Sequence, residues 1–445
     1  MVRQRDGLCL PHGRSRLHRR RHAVSGQRAY ASVVAAYWGF TLTDGALRML
    51  VLLHFFTLGY TPFQLAFLFV LYEVAGMATN LFGGWAATRF GVNVTLASGL
   101  ALQVAALLML SALDPAWSPF WSVAYVVLAQ GLAGVAKDLT KTSAKSAIKL
   151  VTPEGRSATL FRYVAWLTGS KNALKGVGFF LGGTLLSAVG FVPALRLMAA
   201  ALAVVFVASV LALPRMFGKA KRASRLRELF AKTRAINLLA AARIALFGAR
   251  DVWFVVGLPV FLYANGWTFA EVGGFLAAWT IGYGAVQGLA HRIVPRSADG
   301  LSAEVPAARV WAGLLAAIPL ALAVVLGTAT AITVQAVVAG LALFGVAFAV
   351  NSALHSYLIV AYAGSEKVAE DVGFYYAANA TGRLAGTLLS GLLYQAGGLM
   401  ACLLGSGAML ACCAAISLAL PARAVAAARA PAWFAELGVP DTQDG

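Results

Sequence analysis

Residues 158–188 read ATLFRYVAWLTGSKNALKGVGFFLGGTLLSA, an apolar stretch with two lysines in its middle. About 20 mostly apolar residues span the ~30 Å hydrocarbon core of a bilayer, so this segment is long enough to cross one. Thr168, Lys171, Asn172 and Lys175 follow i, i+3, i+4, i+7 spacing and share one helix face. At ~1.5 Å per residue both lysines lie roughly 20 Å from either end, farther than a side chain can snorkel. A charge at the bilayer centre costs at least ~2.5–3.5 kcal/mol. That face is therefore expected against protein or water rather than lipid.

Comparable apolar stretches lie near 31–53, 63–87, 93–113, 119–137 and 192–213 on one side of residue 215. Others lie near 235–263, 269–290, 308–327, 331–361, 373–396 and 399–420 on the other side. The 445 residues are 60% hydrophobic and 12% charged, far more apolar than a soluble domain, with a mean hydropathy of +0.76. Surface-to-volume scaling gives a soluble core no room for such an excess. Disorder, collagen and disulfide scaffolds are excluded by the same composition, and four cysteines make no disulfide framework. The expected fold is all-α and polytopic, with 12 transmembrane helices. The expected boundaries are a disordered basic arm at 1–29, a six-helix bundle at 30–214, a basic linker at 215–234, a second six-helix bundle at 235–421 and a tail at 422–445.

The net charge of +19 would suggest nucleic acid in a soluble protein, but its distribution explains it otherwise. The connections at 54–62, 112–120, 189–193, 264–268, 327–331 and 396–399 contain no Lys or Arg. The alternate ones hold Arg89; Lys141, Lys145, Lys149 and Arg156; the linker's eight basic residues; Arg292 and Arg296; and Lys367. The positive-inside rule then places both termini in the cytoplasm, with a lipid bilayer and no nucleic acid as partner.

The two sets of six resemble each other. Asp44 followed by Gly59-Tyr60-Thr61 matches Asp251 followed by Gly266-Trp267-Thr268. Phe161, Tyr163, Ala165, Thr168 and Gly169 reappear as Phe374, Tyr376, Ala378, Thr381 and Gly382. A parallel six-plus-six repeat implies a major facilitator fold, two six-helix pseudo-repeats with a site near mid-membrane between them.

Other intramembrane polar groups form stripes: Tyr37, Thr41, Asp44 and Arg48; Arg243, Arg250 and Asp251; Tyr376, Asn379 and Arg383; Asn351 and His355; Glu73 and Asn80. Six cations (Arg48, Lys171, Lys175, Arg243, Arg250, Arg383) stand against three carboxylates (Asp44, Glu73, Asp251). If all face one cavity, its surplus positive charge favours a multiply charged anion, held by arginine forks and lysine point charges. The candidate substrate-binding set is Lys171, Lys175, Arg48, Arg250, Arg383, Asn172, Tyr37 and Asn379. Arg243 lies nearer a helix end, where structural pairing is the competing reading. Asp44, Glu73 and Asp251 serve either as coupling groups that carry protons or as structural partners of the arginines. Asp44 and Arg48, one turn apart, are positioned to pair with each other. Lys137 and Lys141 are expected in an inner vestibule, with Lys145 and Lys149 against headgroups. No metal-ligand spacing, P-loop or nucleophile elbow occurs, so no catalytic residue, metal or cofactor is expected. Cys412 and Cys413 read as small buried hydrophobes.

The connection Gly84-Trp85-Ala86-Ala87-Thr88-Arg89-Phe90-Gly91 resembles the major facilitator loop motif G-x-L-A-D-R-x-G-R-K, with Thr88 in place of its aspartate. A closer resemblance is to the ArsJ-type organoarsenical efflux permeases. It is carried by YWGFTLTDGALRMLVLLHF at 37–55, AKDLTKTSAKSAIKL at 136–150, LTGSKNALKGVGFFLGG at 167–183 and RAINLLAAARIALFGARDVWFVVGLPVFL at 234–262, and runs from about residue 30 to residue 420. The resemblance implies a bacterial inner-membrane exporter of 1-arseno-3-phosphoglycerate, conferring arsenate resistance. Its functional partner would be glyceraldehyde-3-phosphate dehydrogenase, which makes that ester when arsenate replaces phosphate. It transfers no site residues. The expected mechanism is alternating access, driven by the membrane potential or by proton exchange. A carrier for another phosphorylated organic acid and a proton-coupled multidrug-type exporter are the rivals.

Overall fold

A backbone in hydrocarbon has no water to bond to, so a spanning chain closes its hydrogen bonds within helices or a closed barrel. This chain takes the first course. In the computed structural model, residues 12–79, 91–151, 157–212, 233–294, 297, 299–328, 333–363 and 368–422 are described, and among them there is no strand. The helices are α1 (His12–Thr57), α2 (Pro62–Thr79, with a turn at Leu68 and Phe69), α3 (Val92–Ser111), α4 (Pro119–Val151), α5 (Ser157–Val189) and α6 (Phe191–Ala212). They continue as α7 (Arg234–Ala264), α8 (Phe269–Leu289), α9 (Glu304–Thr328) and α10 (Thr333–Tyr362). A last element, Val368–Leu418, is interrupted at Gly397 and Gly398 into α11 (368–396) and α12 (399–418). Among the described residues, 10 helical stretches are long and apolar enough to cross a membrane, Arg234–Ala264 and Asp371–Leu418 each counting once and α8 falling outside the set. The protein is a polytopic α-helical membrane protein.

Its surface is inverted relative to a soluble fold. Phe120, Val204, Leu211, Val310, Val324 and Leu418 stand exposed, while Arg243, Asp251, Glu73 and Asp138 are buried. Within the first half α1 packs on α4, α5 and α6, and within the second α7 packs on α10, α11 and α12. The halves meet through α5 on α8 and α2 on α11. A shift of six helices converts the first of these interfaces into the second.

Two pairs of sites share local chemistry. After α1, Gly59 has φ 86°, and after the second part of α7, Gly266 has φ 90°; such left-handed backbone suits glycine. Thr61 then caps α2 in a reciprocal box with Gln64, as Thr268 caps α8 with Glu271. Small residues let helix backbones approach within each half: Gly178 and Gly182 lie on Leu42 and Ala46, and Gly382 and Gly386 lie on Ile244 and Gly248. With Asp44 matched to Asp251, Leu42 and Gly248 are near-equivalent positions, so these contacts equate Gly178 with Gly386. The Phe161–Gly169 match to Phe374–Gly382 is therefore five residues out of register.

The halves differ at α7. Its first part ends at Phe254 and its second begins at Gly257. Pro259 has no N–H to give the carbonyl of Val255, so the ladder fails there. The N–H groups of Val256 and Gly257 donate instead to Ser390 Oγ of α11, at 3.2 and 3.1 Å.

Two boundaries differ from expectation. Residues 12–29, expected as disordered, continue α1 as helix, in keeping with an arginine-rich stretch free of proline. The α4 helix runs to Val151, carrying the lysine repeat past the apolar run. Residues 1–11, Asn80 to Phe90, most of the linker and the tail beyond Ala422 lie outside the described residues.

Candidate functional site

One cavity of about 270 Å³ opens between the halves, walled by α1, α2, α4 and α5 on one side and α7, α8, α10 and α11 on the other. The helix faces that build it are periodic. Lys171, Asn172, Lys175 and Phe179 face it from α5; Arg243, Phe247, Arg250 and Phe254 from α7, at i, i+4, i+7, i+11; and Thr280, Tyr283 and Gln287 from α8. Of the expected site residues, Tyr37, Asp44, Glu73, Lys137, Lys141, Lys171, Asn172, Lys175, Arg250, Asn379 and Arg383 line it.

Two expected members stand behind the wall. Arg48 reaches Glu73 at 3.4 Å and lies over the rings of Phe69 and Tyr72. Its expected place among the substrate-binding residues is thereby corrected: one turn beyond Asp44, it is turned toward α2. Asp251, 1% exposed, is likewise enclosed by Arg250 and Arg383.

The charges fall into separate groups. Arg48, Glu73, Arg383, Asp251 and Arg250 form an alternating ladder: Arg48 to Glu73 at 3.4 Å, Glu73 to Arg383 at 2.6 Å, Arg383 to Asp251 at 3.3 Å and Asp251 to Arg250 at 2.5 Å. Two carboxylates thus serve three guanidiniums, and the Glu73–Arg383 step joins the two halves. Asp138, not counted among the intramembrane carboxylates from sequence, holds Lys141 at 2.9 Å and Lys137 at 3.8 Å, and accepts from Thr79 Oγ1 at 3.0 Å. The expected Asp44–Arg48 pair does not form: Asp44 accepts from the Tyr72 hydroxyl at 2.7 Å, and among the described residues it makes no ion pair.

Arg243 joins the wall, which sequence position near a helix end did not suggest. It is 4% exposed, stacked on Phe247 at 3.9 Å and Tyr375 at 4.8 Å. Its Nε donates to Asn379 Oδ1 at 3.1 Å, and Nη1 donates to Ser352 O and Oγ at 3.2 Å. Lys175 lies 5.6 Å from the Phe179 ring centre. Neither Arg243 nor Lys175 has a carboxylate within ion-pair distance among the described residues.

The wall carries Lys137, Lys141, Lys171, Lys175, Arg243, Arg250 and Arg383 against Asp44, Glu73 and Asp138. All four first-half cations are lysines, and all three second-half cations are arginines. Toward the end whose connections lack Lys and Arg, aromatic rings close the space: Phe179 to Phe254 at 6.2 Å and Phe254 to Trp279 at 4.9 Å. Beyond them the halves touch directly, with Gly391 against Pro62 and Phe63, Gly183 against Phe269, and Phe63 N–H donating to Gln395 Oε1 at 3.4 Å. Sequence reading missed this aromatic floor and the whole of α8, where Trp279, Thr280, Tyr283 and Gln287 share a face. That spacing was the available signal. Among the described residues no cluster of His, Cys, Asp and Glu suits a metal ion. No protein-family model matches the chain, and no curated protein sequence matches it.

Proposed function

We infer that this chain is an efflux transporter of the major facilitator type, with 12 transmembrane helices in two pseudo-repeats, that exports a multiply charged organic anion by alternating access. The observation that carries this reading is one buried cavity between two helical halves whose wall holds seven cations and three carboxylates. Charges buried without partners are costly, so a surplus of this kind is retained where an anion neutralises it. The resemblance to the ArsJ-type permeases names the anion as 1-arseno-3-phosphoglycerate, which carries phosphate, arsenate and a hydroxyl. Nothing in this cavity calls for thiols, and pentavalent arsenic bound as an oxyanion needs none.

In this reading the anion enters from the end with the basic connections, which is the cytoplasmic end. Lysines of α4 and α5 and arginines of α7 and α11 replace its water. The halves then rock, parting the aromatic floor of Phe179, Phe254 and Trp279. A cytoplasm-negative potential assists exit by ~2.3 kcal/mol per charge per 100 mV. Of the three carboxylates weighed for proton coupling, Glu73 and Asp251 are each held between two arginines, which leaves Asp44 as the candidate.

The test is export from cells expressing the chain with and without a glyceraldehyde-3-phosphate dehydrogenase, following arsenic and phosphorus together after arsenate exposure. The expected result is release of both in equal amounts, only when both proteins are present. Release of arsenic without phosphorus, or no release, rejects the reading. Equal release of 3-phosphoglycerate without arsenate favours a carrier of another phosphorylated organic acid.

A further inference from the structure

Of the seven wall cations, four are already committed: Lys137 and Lys141 to Asp138, Arg250 to Asp251, and Arg383 to Glu73 and Asp251. Of the other three, Lys175 and Arg243 have no carboxylate within ion-pair distance among the described residues, and they come from opposite halves. Arg243 is also built in place. Its guanidinium lies over two rings, and two of its three nitrogens are fixed by Asn379 and Ser352. The remaining nitrogen, Nη2, donates to no described residue, and Arg243 lines the cavity. A fork so fixed presents a defined donor to one oxyanion. Lys175 is a point charge on a flexible stem above the ring of Phe179.

The two cations sit at different depths. The ring contact between Phe179 and Phe254 sets those residues level. Lys175 is four residues from Phe179, and Arg243 eleven residues from Phe254, both toward the basic connections. At ~1.5 Å per residue, Arg243 is roughly 10 Å nearer that end of the protein. That offset suits a single compact oxyanion poorly. It suits a short carbon backbone with an oxyanion at each end.

We propose that Lys175 and Arg243 are separate anchors for the two ends of one substrate, so that the cavity selects organic anions by the spacing of two oxyanion groups. This rests on the cavity being an anion pathway. One head lies on the lysine-bearing half and the other on the arginine-bearing half, so the bound anion ties the halves across the cavity. A one-headed anion satisfies one anchor and leaves the halves untied.

Two ligands of equal charge test this: propane-1,3-bisphosphonate, with its heads apart, and methylenebisphosphonate, with its heads together. Binding is measured by titration calorimetry on the full chain in nanodiscs. The wild-type protein is expected to bind the spread ligand at least tenfold more tightly. In Lys175→Gln, and separately in Arg243→Gln, the two affinities are expected to fall within twofold of each other. Equal affinities in the wild type, or a tenfold preference retained in either variant, overturns the proposal. Should Arg243→Gln fail to fold, Lys175→Gln alone decides. A protein that exports arsenic with phosphorus yet binds both ligands equally refutes the anchors and leaves the export reading standing. A protein that exports neither refutes that reading instead.

Discussion

The five residues Gly-Thr-Leu-Leu-Ser occur twice, at 183–187 on α5 and at 386–390 on α11, and the two copies do different work. Gly386 lies on the backbone of Gly248 and beside Asp251, inside its own half, whereas Gly183 lies against Phe269 of the opposite half. Ser390 Oγ takes the two N–H groups freed at the break in α7, while Ser187 only returns a bond to the Thr184 carbonyl at an exposed site. The reason is a slip of five residues. The counterpart of Gly386 by contact is Gly178, which lies on Leu42, and five residues turn a helix face by about 140°. Identical sequence thus faces inward to its own bundle in one half and across the interface in the other.

The largest expected effect concerns the ladder that crosses this interface. Glu73→Gln removes the carboxylate shared by Arg48 and Arg383, and breaking a buried pair this way costs about 3–5 kcal/mol. Asp44→Asn, which removes a carboxylate that among the described residues is bound by the Tyr72 hydroxyl alone, should cost less, about 1.5 kcal/mol. Thermal unfolding in detergent of the two variants checks this; equal losses would deny that the ladder differs from Asp44. Next come the glycines. Gly386→Val forces a side chain into the Gly248 backbone and should cost about 1–3 kcal/mol. Gly183→Val should leave each bundle intact but wedge the closed end apart. A cysteine at Thr280 in that variant, with the native cysteines replaced, should react with an impermeant thiol reagent added from the side of the uncharged connections. An unreactive cysteine would mean that Gly183 does not help hold that end shut. The smallest effect separates the serines. Ser390→Ala leaves two buried N–H groups unpaired and should cost about 1–3 kcal/mol, and Ser187→Ala should stay within about 0.5 kcal/mol.

The helical membrane fold was legible because lipid allows so few alternatives. Long apolar runs, the Gly59 and Gly266 turns and the Thr61 and Thr268 caps are all local signals. The register of α5 against α11 was not legible, since apolar sequence offers several near-matches, and only the glycine contacts taken with the cavity-facing Lys171, Lys175, Asn379 and Arg383 choose among them. Which residues share the cavity followed from helix periodicity, as Lys171, Lys175 and Asn379 show. Which cation meets which carboxylate did not. Arg48 bypasses Asp44 one turn away for Glu73 on another helix, and no spacing within α1 encodes that choice. The break in α7 had a visible signal in Pro259, but the partner that makes it tolerable, Ser390, comes from a helix more than a hundred residues later.

The most direct measurement is flux through proteoliposomes containing the full chain, comparing a two-headed phosphorylated organic anion with an organic cation of similar size. An electropositive cavity that serves as the pathway predicts saturable anion flux, no cation flux, and loss of the anion flux in Lys175→Gln/Arg243→Gln protein that remains folded. Cation flux, or anion flux undiminished in that double variant, would contradict it.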